Sequence, residues 1–360
     1  MKKVGKFVLG LLVVVVIVVL VYLMYVLVSY HRIEDMQPLE SRAPEQVNDK
    51  QALKTNETYT AMSYNIGFGA YTPEFSFFMN GGKYSWAQSE ESVINSVNGA
   101  ADFVASFEPD FMLLQEVDTD STRSYHVNEY DLFSKVFSDY YAVFAMNYDS
   151  AFLMYPLQQP HGKSKSGIVT YSRYPITDAL RRSLPISTSL SKLLDLDRCY
   201  SISRVPVENG KELVVINLHM SAYGHSDEVR EGQIAMLCGD LEREYAAGNY
   251  VICGGDFNHD LKTLEDDGSE RESWEHPFPR EKIPEHFNFC IDLISEEEKE
   301  GLWNSLRSSD IEYIEGVTKT IMLDGFLISD NVECLTYETL NTGYQYSDHE
   351  PVHFTFQLKE

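Results

Sequence analysis

The chain has 360 residues, 44% of them hydrophobic and 12% aromatic, which is enough for a packed core and excludes a chain disordered throughout. Its formal net charge of -26 argues against a general polyanion-binding surface, because affinity for a nucleic-acid backbone depends on Lys and Arg neutralising phosphates. An enzyme acting on a phosphate ester, a nuclease included, is not excluded, since metal ions and a few local cations can supply the positive field.

The five cysteines are widely scattered and odd in number, and they lack CxxC or CxxH spacing. The sequence therefore predicts neither a zinc site nor a disulfide framework. One pair could still form a bridge, but small buried thiols are the favoured interpretation. The cysteines are Cys199, Cys238, Cys253, Cys290 and Cys334.

The N-terminal segment Phe7–Val28 is an uninterrupted uncharged run dominated by Val and Leu. About 20 such residues in a helix span a bilayer core, so we predict one transmembrane helix over 7–28. A signal peptide is disfavoured, because its apolar core usually has about 7–15 residues and no A-x-A cleavage pattern follows the run. A buried core helix is disfavoured because the run is apolar on all sides.

Charges flanking the run predict its orientation. Three lysines lie within residues 1–6, whereas Arg32 is followed by Glu34 and Asp35. The positive-inside bias places a short tail, residues 1–6, in the cytoplasm and the rest of the chain outside the cell membrane. Residues 29–57 are polar and lack periodic apolar positions, so we predict a linker followed by one catalytic domain over 58–360.

Within that domain, apolar and β-branched runs predict strands, and apolar residues at helical spacing predict helices. One helix is capped by Ser89 and runs to about Phe107, and another covers Ser226–Tyr245. Residues 261–302 are charged and contain three prolines, which predicts a long surface loop. Its aromatic residues could form a substrate or lipid lip, although packing beneath the loop is favoured. The predicted strands are Thr58–Asn65, Asp110–Glu116, Tyr141–Ala145, Gly167–Ser172, Glu212–His219, Tyr250–Cys253, Thr320–Ser329 and Val352–Gln357.

The most informative stretch is NYVICGGDFNHD over residues 249–260. An uncharged run typical of a buried strand leads into Gly254 and Gly255, which permit a tight turn or a close approach of the backbone. If the chain stays extended, Asp256 and Asn258 point the same way and offer hard oxygen ligands for a divalent ion. The alternative is an ordinary turn, because Gly, Asp and Asn are common turn residues.

Other predicted strands also end in side chains suited to metal binding or acid–base chemistry. Each has a structural alternative: an Asn or Asp can cap a turn, a Glu can be a solvated strand end, and a His can be satisfied within the core. The recurrence at strand after strand nevertheless favours one shared site. The residues are Asn65, Glu116, His219, Asp256 with Asn258, Asp324, and Asp348 with His349.

The order and wording of these segments resemble the endonuclease/exonuclease/phosphatase superfamily, which includes pancreatic-type deoxyribonucleases and neutral sphingomyelinases. The resemblance covers about Tyr59–Leu358. It implies an α+β fold, a four-layered αββα sandwich of the deoxyribonuclease I type, and divalent-metal-dependent hydrolysis of a phosphate ester. The motifs that carry it, in chain order, are SYN, LLQE, INLH, GGDFN, LDGFLIS and SDHEPV.

The resemblance also implies roles for these residues. Mg²⁺ is the expected ion, with Mn²⁺ or Ca²⁺ as alternatives, because these are the hard ions that such oxygen ligands prefer. Either Asp256 or His349 paired with Asp324 would be the general base, and His219 would face the pair across the phosphate. The expected metal ligands are Asn65, Glu116, Asp256, Asn258 and Asp348, and the expected catalytic residues are His219, Asp256, Asn258, Asp324 and His349.

Differences from the motifs of two subfamilies limit the classes of substrate that this protein could act on. CGGDFN and IMLDGF differ from the inositol-polyphosphate 5-phosphatase motifs, and Gln115-Glu116-Val117-Asp118 differs from the QExK of abasic-site endonucleases. A lipid head group or a small phosphate ester is favoured slightly over extracellular DNA or RNA, because local cations are few. A catalytically silent binding scaffold is the alternative of another class, and nothing in the sequence indicates an oligomeric state. The predicted phosphate-binding groups are Arg123, His126, Lys163 and Lys165.

Overall fold

The computed structural model describes residues 2–46, 49–187, 196–221, 227–264 and 275–360. Its helices are α1 (Lys2–Ser29), α2 (Glu90–Ala105), α3 (Glu129–Val136), α4 (Asp227–Ala246) and α5 (Glu296–Gly301). Its strands are β1 (Gln37–Pro38), β2 (Ser41–Arg42), β3 (Thr58–Asn65), β4 (Phe111–Asp118), β5 (Tyr141–Asp149), β6 (Lys165–Ser172), β7 (Asp178–Ser183), β8 (Cys199–Pro206), β9 (Glu212–His219), β10 (Tyr250–Asp256), β11 (Phe287–Phe289), β12 (Leu306–Arg307), β13 (Thr320–Ile321), β14 (Asp324–Ser329), β15 (Val332–Thr339) and β16 (Val352–Leu358).

Two seven-stranded sheets form the centre of the molecule. The first has the order β1-β7-β8-β9-β10-β14-β11, and the second has the order β15-β16-β3-β4-β6-β5-β2. Each contains one parallel pair, β9 with β10 and β3 with β4. The carboxyl ends of these parallel strands lie at one edge of the sandwich, where the polar strand ends meet.

Helices cover the outer face of each sheet. Apolar residues of α4, such as Leu237 and Leu241, pack against the first sheet and share a core with residues between the two sheets. Apolar residues of α2 and α3, such as Val97 and Phe133, pack against the outer face of the second sheet. The sequence of layers is therefore helix, sheet, sheet, helix, which confirms the predicted four-layered αββα sandwich of the α+β class.

The helix predicted after Ser89 is present as α2. The Ser89 side chain accepts a hydrogen bond from the backbone N–H of Ser92, so it caps the first turn as predicted. Val93, Val97, Ala100 and Val104 are fully or almost fully buried, as their spacing requires. Of the predicted helix Ser226–Tyr245, Ser226 lies outside the described residues and the rest lies in α4.

Several strands lack the pattern that sequence reasoning requires. β7 contains three charged residues, including Arg181, which is buried and donates to the carbonyls of Met146 and Asp197. β15 alternates irregularly because it lies at the edge of its sheet with half of its side chains exposed. The predicted strand Thr320–Ser329 is divided, since Thr320–Ile321 pairs with β12 and only Asp324–Ser329 joins the first sheet.

The prediction of a long surface loop over 261–302 is wrong for much of its described part. Residues 287–289 form β11, which pairs with β14, and residues 296–301 form α5. Phe278, Phe287 and Phe289 are buried, so these aromatics pack inward rather than forming a lip. They do so because their rings complete the core beneath β14. Trp274 lies outside the described residues.

The N-terminal region differs from a simple anchor and tether. α1 is long and apolar enough to cross a membrane, with 6% of its most apolar window buried against the rest of the protein. The predicted linker, however, is paired to both sheets: Gln37 pairs with Arg181 of β7, and Ser41 pairs with Val143 of β5. Strands can pair through their backbone groups without any apolar periodicity. A polar segment can therefore join a sheet although its sequence predicts a linker.

Candidate active site

Three strands of the first sheet bring reactive side chains into line. Asp256 at the end of β10 lies opposite His219 at the end of β9 and opposite Asp324 at the start of β14. Gly255 makes this alignment possible. Its φ is 142°, and a Cβ placed there would lie 2.0 Å from the Leu218 carbonyl oxygen, so glycine is required for the close approach of β9 and β10.

The hydrogen bond expected between His349 and Asp324 is present, with Nδ1 lying 2.7 Å from Oδ2. Both side chains are buried. His349 precedes β16, and its backbone N–H donates to the Ser347 hydroxyl at 3.2 Å. The pairing with Asp324 directs the other imidazole nitrogen, Nε2, into the site.

Two histidines converge on one carboxylate. His349 Nε2 lies 3.8 Å from Asp256 Oδ2, and His219 Nε2 lies 3.5 Å from the same oxygen. Glu116 stands on the other side of His219, with Oε1 3.9 Å from His219 Nε2. The four side chains thus surround a small space in which acid–base groups face each other.

Asn65 joins the two sheets at this point. Its Nδ2 donates to Asp256 Oδ2 at 3.1 Å and to Glu116 Oε1 at 3.4 Å, while its Oδ1 accepts from the Gly67 N–H. Asn65 therefore orients the two carboxylates, and its role as a metal ligand stays a prediction. Glu116 reaches the site from a bulge in β4, where its φ is 55° and the register with β6 shifts.

Asn258 corrects the expectation that the extended chain continues past Asp256. Its φ is 48°, so the backbone turns, and its N–H donates to Asp256 Oδ1 at 2.9 Å. Its side-chain amide donates to the Met220 carbonyl at 2.9 Å. The residue stabilises the turn that holds Asp256, because Asn tolerates the left-handed conformation and forms such local hydrogen bonds.

Asp348 lies beside the cluster and is buried. The backbone N–H of Arg307 donates to its carbonyl at 2.9 Å, and a Cβ on Gly67 would lie 3.0 Å from its Oδ1. Burial raises its pKa to about 6, and the negative charge of Glu116 adds to this effect. Asp348 is therefore a buried carboxyl group whose titration is affected by the charge of Glu116.

Burial also shifts the central titrating groups. It raises the pKa of Asp256 to about 7, with repulsion from Asp324 adding to the effect. It lowers the pKa of His219 well below the ordinary range. Burial alone would lower the pKa of His349 too, but attraction to Asp324 outweighs it and raises that pKa to about 10. The neutral imidazole of His219 and the cationic imidazole of His349 thus lie on either side of Asp256, a carboxyl group that loses its proton only at a raised pH.

The donor set suits a hard divalent cation. One atom each from Asp256, Asp324 and His349 lies within 4.8 Å of the others, a closeness that includes the Asp324–His349 hydrogen bond. Asp324 Oδ1 is buried and has no hydrogen-bond partner among the described residues. Glu116 adds a carboxylate that is partly exposed and so accessible from solvent. Carboxylate oxygens such as those of Asp256, Asp324 and Glu116 are typical ligands of Mg²⁺.

Among the described residues, the four predicted phosphate-binding groups form no hydrogen bond or ion pair with His219, Asp256 or His349, although the charge of Arg123 lowers the pKa of His219. Arg123 is buried and donates from Nε and Nη2 to both oxygens of Asp118, at 3.0 and 2.8 Å. His126 is exposed and lies 2.6 Å from Asp120 Oδ1, and exposed Lys163 lies 3.9 Å from Asp149. Lys165, at the start of β6, is half-buried. The structure brings none of these four into the described His219–Asp256–His349 cluster, so their role in substrate binding stays a prediction.

Sequence reasoning missed Arg198. This residue precedes β8, and the next residue, Cys199, pairs with His219. Arg198 is 4% exposed, and its Nε and Nη1 have no hydrogen-bond partner within the described ranges. Its charge lowers the pKa of both His219 and Asp256. An arginine directly before a strand could have indicated this residue, but the sequence analysis does not predict the strand that follows it, β8.

Comparison with known proteins agrees with this architecture. The endonuclease/exonuclease/phosphatase from Beutenbergia cavernae DSM 12333 superposes with a TM-score of 0.60 at 16% identity, covering 84% of this chain and 72% of that chain. A family protein from Leptotrichia buccalis C-1013-b gives 0.56 at 12% identity, covering 83% and 100%. The human Nocturnin catalytic domain with bound sulfate anion gives 0.52 at 16% identity, covering 84% and 95%. These identities support the fold alone.

No curated protein matches the chain. The family model described as Endonuclease/Exonuclease/phosphatase family matches residues 62–303. That stretch contains Asn65, Glu116, His219 and Asp256, while Asp324 and His349 follow it in the chain and reach the same site through the sheet. Because the match covers more than half of the sequence, the chain belongs to the Endonuclease/Exonuclease/phosphatase family.

Proposed function

We propose that this protein is a membrane-anchored, divalent-metal-dependent phosphoesterase that hydrolyses phosphodiester or phosphomonoester bonds, with its catalytic domain on the extracytoplasmic side. The observation that carries the chemistry is the convergence of His219 Nε2 and His349 Nε2 on one oxygen of Asp256, at 3.5 and 3.8 Å. Membership of the Endonuclease/Exonuclease/phosphatase family supports the reaction class.

The proposal assigns distinct tasks to the residues of the site. Asp324 fixes the orientation of His349, whose raised pKa keeps its imidazole cationic beside the phosphate, and the Asp256 carboxylate removes a proton from the attacking water. His219, which is neutral because its pKa is lowered, faces these two residues and donates a hydrogen bond to a phosphate oxygen. Arg198 is buried beside His219, its Nε and Nη1 have no partner in the described part of the chain, and it supplies positive charge to the phosphate oxygens.

The cation site in this proposal consists of carboxylates. Glu116, Asp256 and Asp348 would hold Mg²⁺, with Mn²⁺ or Ca²⁺ as alternatives, and Asn65 keeps Glu116 and Asp256 in place by donating to both. The bound ion would neutralise negative charge on the phosphate and make its water more acidic.

The anchor and the substrate class complete the proposal. α1 combines the length of a membrane span with lysines at its N-terminal end, which favours an outward-facing domain. A lipid head group or small ester is favoured over nucleic acid, because Arg123 and Lys163, two of the cations predicted near the site, are paired with Asp118 and Asp149.

Turnover of bis-p-nitrophenyl phosphate by the full chain in detergent micelles, with Mg²⁺ or Mn²⁺, tests the chemistry. We expect activity that His349→Ala abolishes and that His286→Ala preserves, since His286 pairs with Asp330 away from the site. Full activity of His349→Ala would refute the proposed chemistry. Calorimetric titration with Mg²⁺ separates the enzyme from a silent scaffold, which should show no specific divalent site.

Two further measurements resolve the substrate and the orientation. A panel of sphingomyelin, DNA, RNA and inositol phosphates should rank the lipid or the small ester first, and a preference for DNA or RNA would make the protein a nuclease. Protease added to intact cells should cut the domain. An uncut domain, alongside a cleaved surface protein, would contradict the outward orientation.

A further inference from the structure

The loop that joins β5 to β6 exposes an unusual group of apolar side chains. Tyr155 and Leu157 are 70% and 78% exposed, and Phe152 and Met154 are exposed as well. Met79 lies in the adjacent loop after β3, which packs on the same surface through a contact between the rings of Phe78 and Tyr155, with centroids 5.8 Å apart. We call these five exposed residues the apolar rim: Met79, Phe152, Met154, Tyr155 and Leu157.

The apolar rim is bonded to the C-terminal part of α1. The Tyr22 hydroxyl donates to the Phe152 carbonyl at 3.2 Å and accepts from the Met154 N–H at 2.9 Å. The Tyr25 hydroxyl accepts from the Phe152 N–H at 3.1 Å. Backbone groups of the rim loop are thus satisfied by two tyrosines of α1, while its apolar side chains face outward.

The length of α1 fixes the depth of this contact in a bilayer. The helix has 28 residues, about 42 Å at 1.5 Å per residue, and the hydrocarbon core is about 30 Å thick. With Lys3 and Lys6 at the cytoplasmic interface, about 20 residues cross the core, so its far side lies at about residues 23–26, close to Tyr22 and Tyr25. Tyrosines are enriched at that interface. Groups hydrogen-bonded to them must lie at a similar depth.

The charge around the rim also suits lipid head groups. The chain has 55 acidic and 29 basic residues, yet the segment from Ser150 to Thr177 contains no Asp or Glu. Lys163 within this segment is exposed. Negatively charged phosphate head groups repel the acidic surface of this protein. The apolar segment over residues 150–177, which has no acidic residue, is the part that can approach them.

The rim lies at the same edge of the sandwich as the active site. Asp149 at the end of β5 pairs with Lys165 at the start of β6, and Ser166 pairs with Asp118, two residues beyond Glu116 in β4. The loop bearing Met79 follows β3, which ends at Asn65. Arg307, next to Asp348 through its backbone, donates to the carbonyls of Thr72 and Phe75 in that loop.

We propose that the apolar rim inserts into the interface of the bilayer that α1 spans and holds the active-site edge against the head groups, so that the substrate is a phosphoester carried at the membrane surface. This inference rests on the proposed function for its anchor and reaction. It adds the surface that docks, the lipid interface as its partner, and the location of the substrate.

Depth-dependent fluorescence quenching tests the docking without any need for activity. Full chains carrying Cys334→Ser and either Leu157→Cys or Leu335→Cys are labelled with an environment-sensitive fluorophore and reconstituted in phosphatidylcholine–phosphatidylserine vesicles. Leu335 is a matched control, because it is exposed on β15, at the opposite edge of the second sheet from the rim. Doxyl lipids should quench the label at 157 at least about twofold more than the label at 335. Equal quenching at the two positions would overturn the proposal.

Kinetics with one leaving group in two settings test the consequence. Phe152→Ser with Leu157→Ser should raise KM about tenfold or more for a vesicle-embedded lipid whose head group is p-nitrophenyl phosphate. The same variant should hydrolyse soluble bis-p-nitrophenyl phosphate at the wild-type rate. An unchanged KM for the lipid would contradict docking. A wild-type chain that is inactive on both substrates would instead refute the proposed function. The quenching experiment does not depend on activity, so the two failures can be told apart.

Discussion

Asp324 Oδ2 accepts a hydrogen bond from His349 Nδ1 at 2.7 Å, although the two residues lie on different elements, β14 and the segment before β16. Asp324→Asn should reduce kcat by about 10²–10⁴-fold, because the imidazole loses the partner that sets its tautomer and orientation. Steady-state turnover of bis-p-nitrophenyl phosphate measures the effect. Asp330→Asn is the control, since Asp330 forms a similar pair with His286 at the surface, at 2.9 Å. Equal activity of the two variants would remove the pair from the mechanism.

Arg198 combines deep burial with donors that have no partner in the described part of the chain. Arg198→Met should lower kcat/KM by about 10- to 100-fold, the loss of a charge-assisted hydrogen bond of roughly 1.5–3 kcal/mol. Its thermal unfolding midpoint should not fall, because the substitution removes a buried guanidinium whose Nε and Nη1 have no partner within the described ranges. The control is Arg243→Met, whose side chain is 61% exposed. A lower midpoint with unchanged kinetics would assign Arg198 a structural role.

A specific cation site should appear as stabilisation of the folded chain. Adding Mg²⁺ at 100 times its dissociation constant should raise the free energy of unfolding by about 2.7 kcal/mol, because the ion binds only the folded state. Chelation should reverse this increase, and Glu116→Gln should abolish most of it. Glu333→Gln, on the exposed edge strand β15, should behave like wild type. Differential scanning calorimetry with and without Mg²⁺ measures the stabilisation. Equal Mg²⁺-induced shifts in the unfolding temperature of the two variants would contradict the site.

Gly255 and Gly239 form a matched pair for backbone geometry. Gly255→Ala should destabilise the protein by about 3 kcal/mol, because its Cβ would meet the Leu218 carbonyl and its φ is positive. Gly239→Ala, within α4 and with no atom within 4 Å of its Cβ position, should stabilise by about 0.5–1 kcal/mol. Thermal unfolding of both variants checks the signs, and a stable Gly255→Ala variant would contradict the close strand contact.

His161 gives a pH dependence of stability. Burial lowers its pKa from 6.5 to about 4, with repulsion from Arg123 acting in the same direction and attraction to Asp118 opposing it. Below pH 6.5 the unfolded chain binds this proton more readily than the folded chain does. Stability is therefore lost as pH falls from about 6.5 to 4, by up to about 3 kcal/mol. His161→Gln should reduce that loss relative to wild type when unfolding is measured at pH 7 and pH 4.5. An identical loss in both proteins would exclude His161 as its source.

The sequence alone determined the features that depend on neighbouring residues along the chain. An apolar run ending in a polar residue identified Asn65, His219 and Asp256 as strand ends, because a strand's periodicity is local. It also singled out Glu116, which lies in a bulge two residues before the end of β4. The Ser89 cap and the apolar α1 were readable for the same reason. The resemblance of the motifs then supplied the sandwich fold and the pairing of His349 with Asp324.

Only the tertiary structure decided what each of these residues touches. It turned Asn258 back onto Asp256, placed the amide nitrogen of Asn65 between two carboxylates, and paired Arg123 with Asp118. It also delivered Arg198 beside His219 through the register of β8 on β9. Strand register and loop packing join residues far apart in the sequence, so no local pattern encodes them. For the same reason, the sequence did not predict the apolar rim, whose loop is held against Tyr22 and Tyr25 by hydrogen bonds between distant residues.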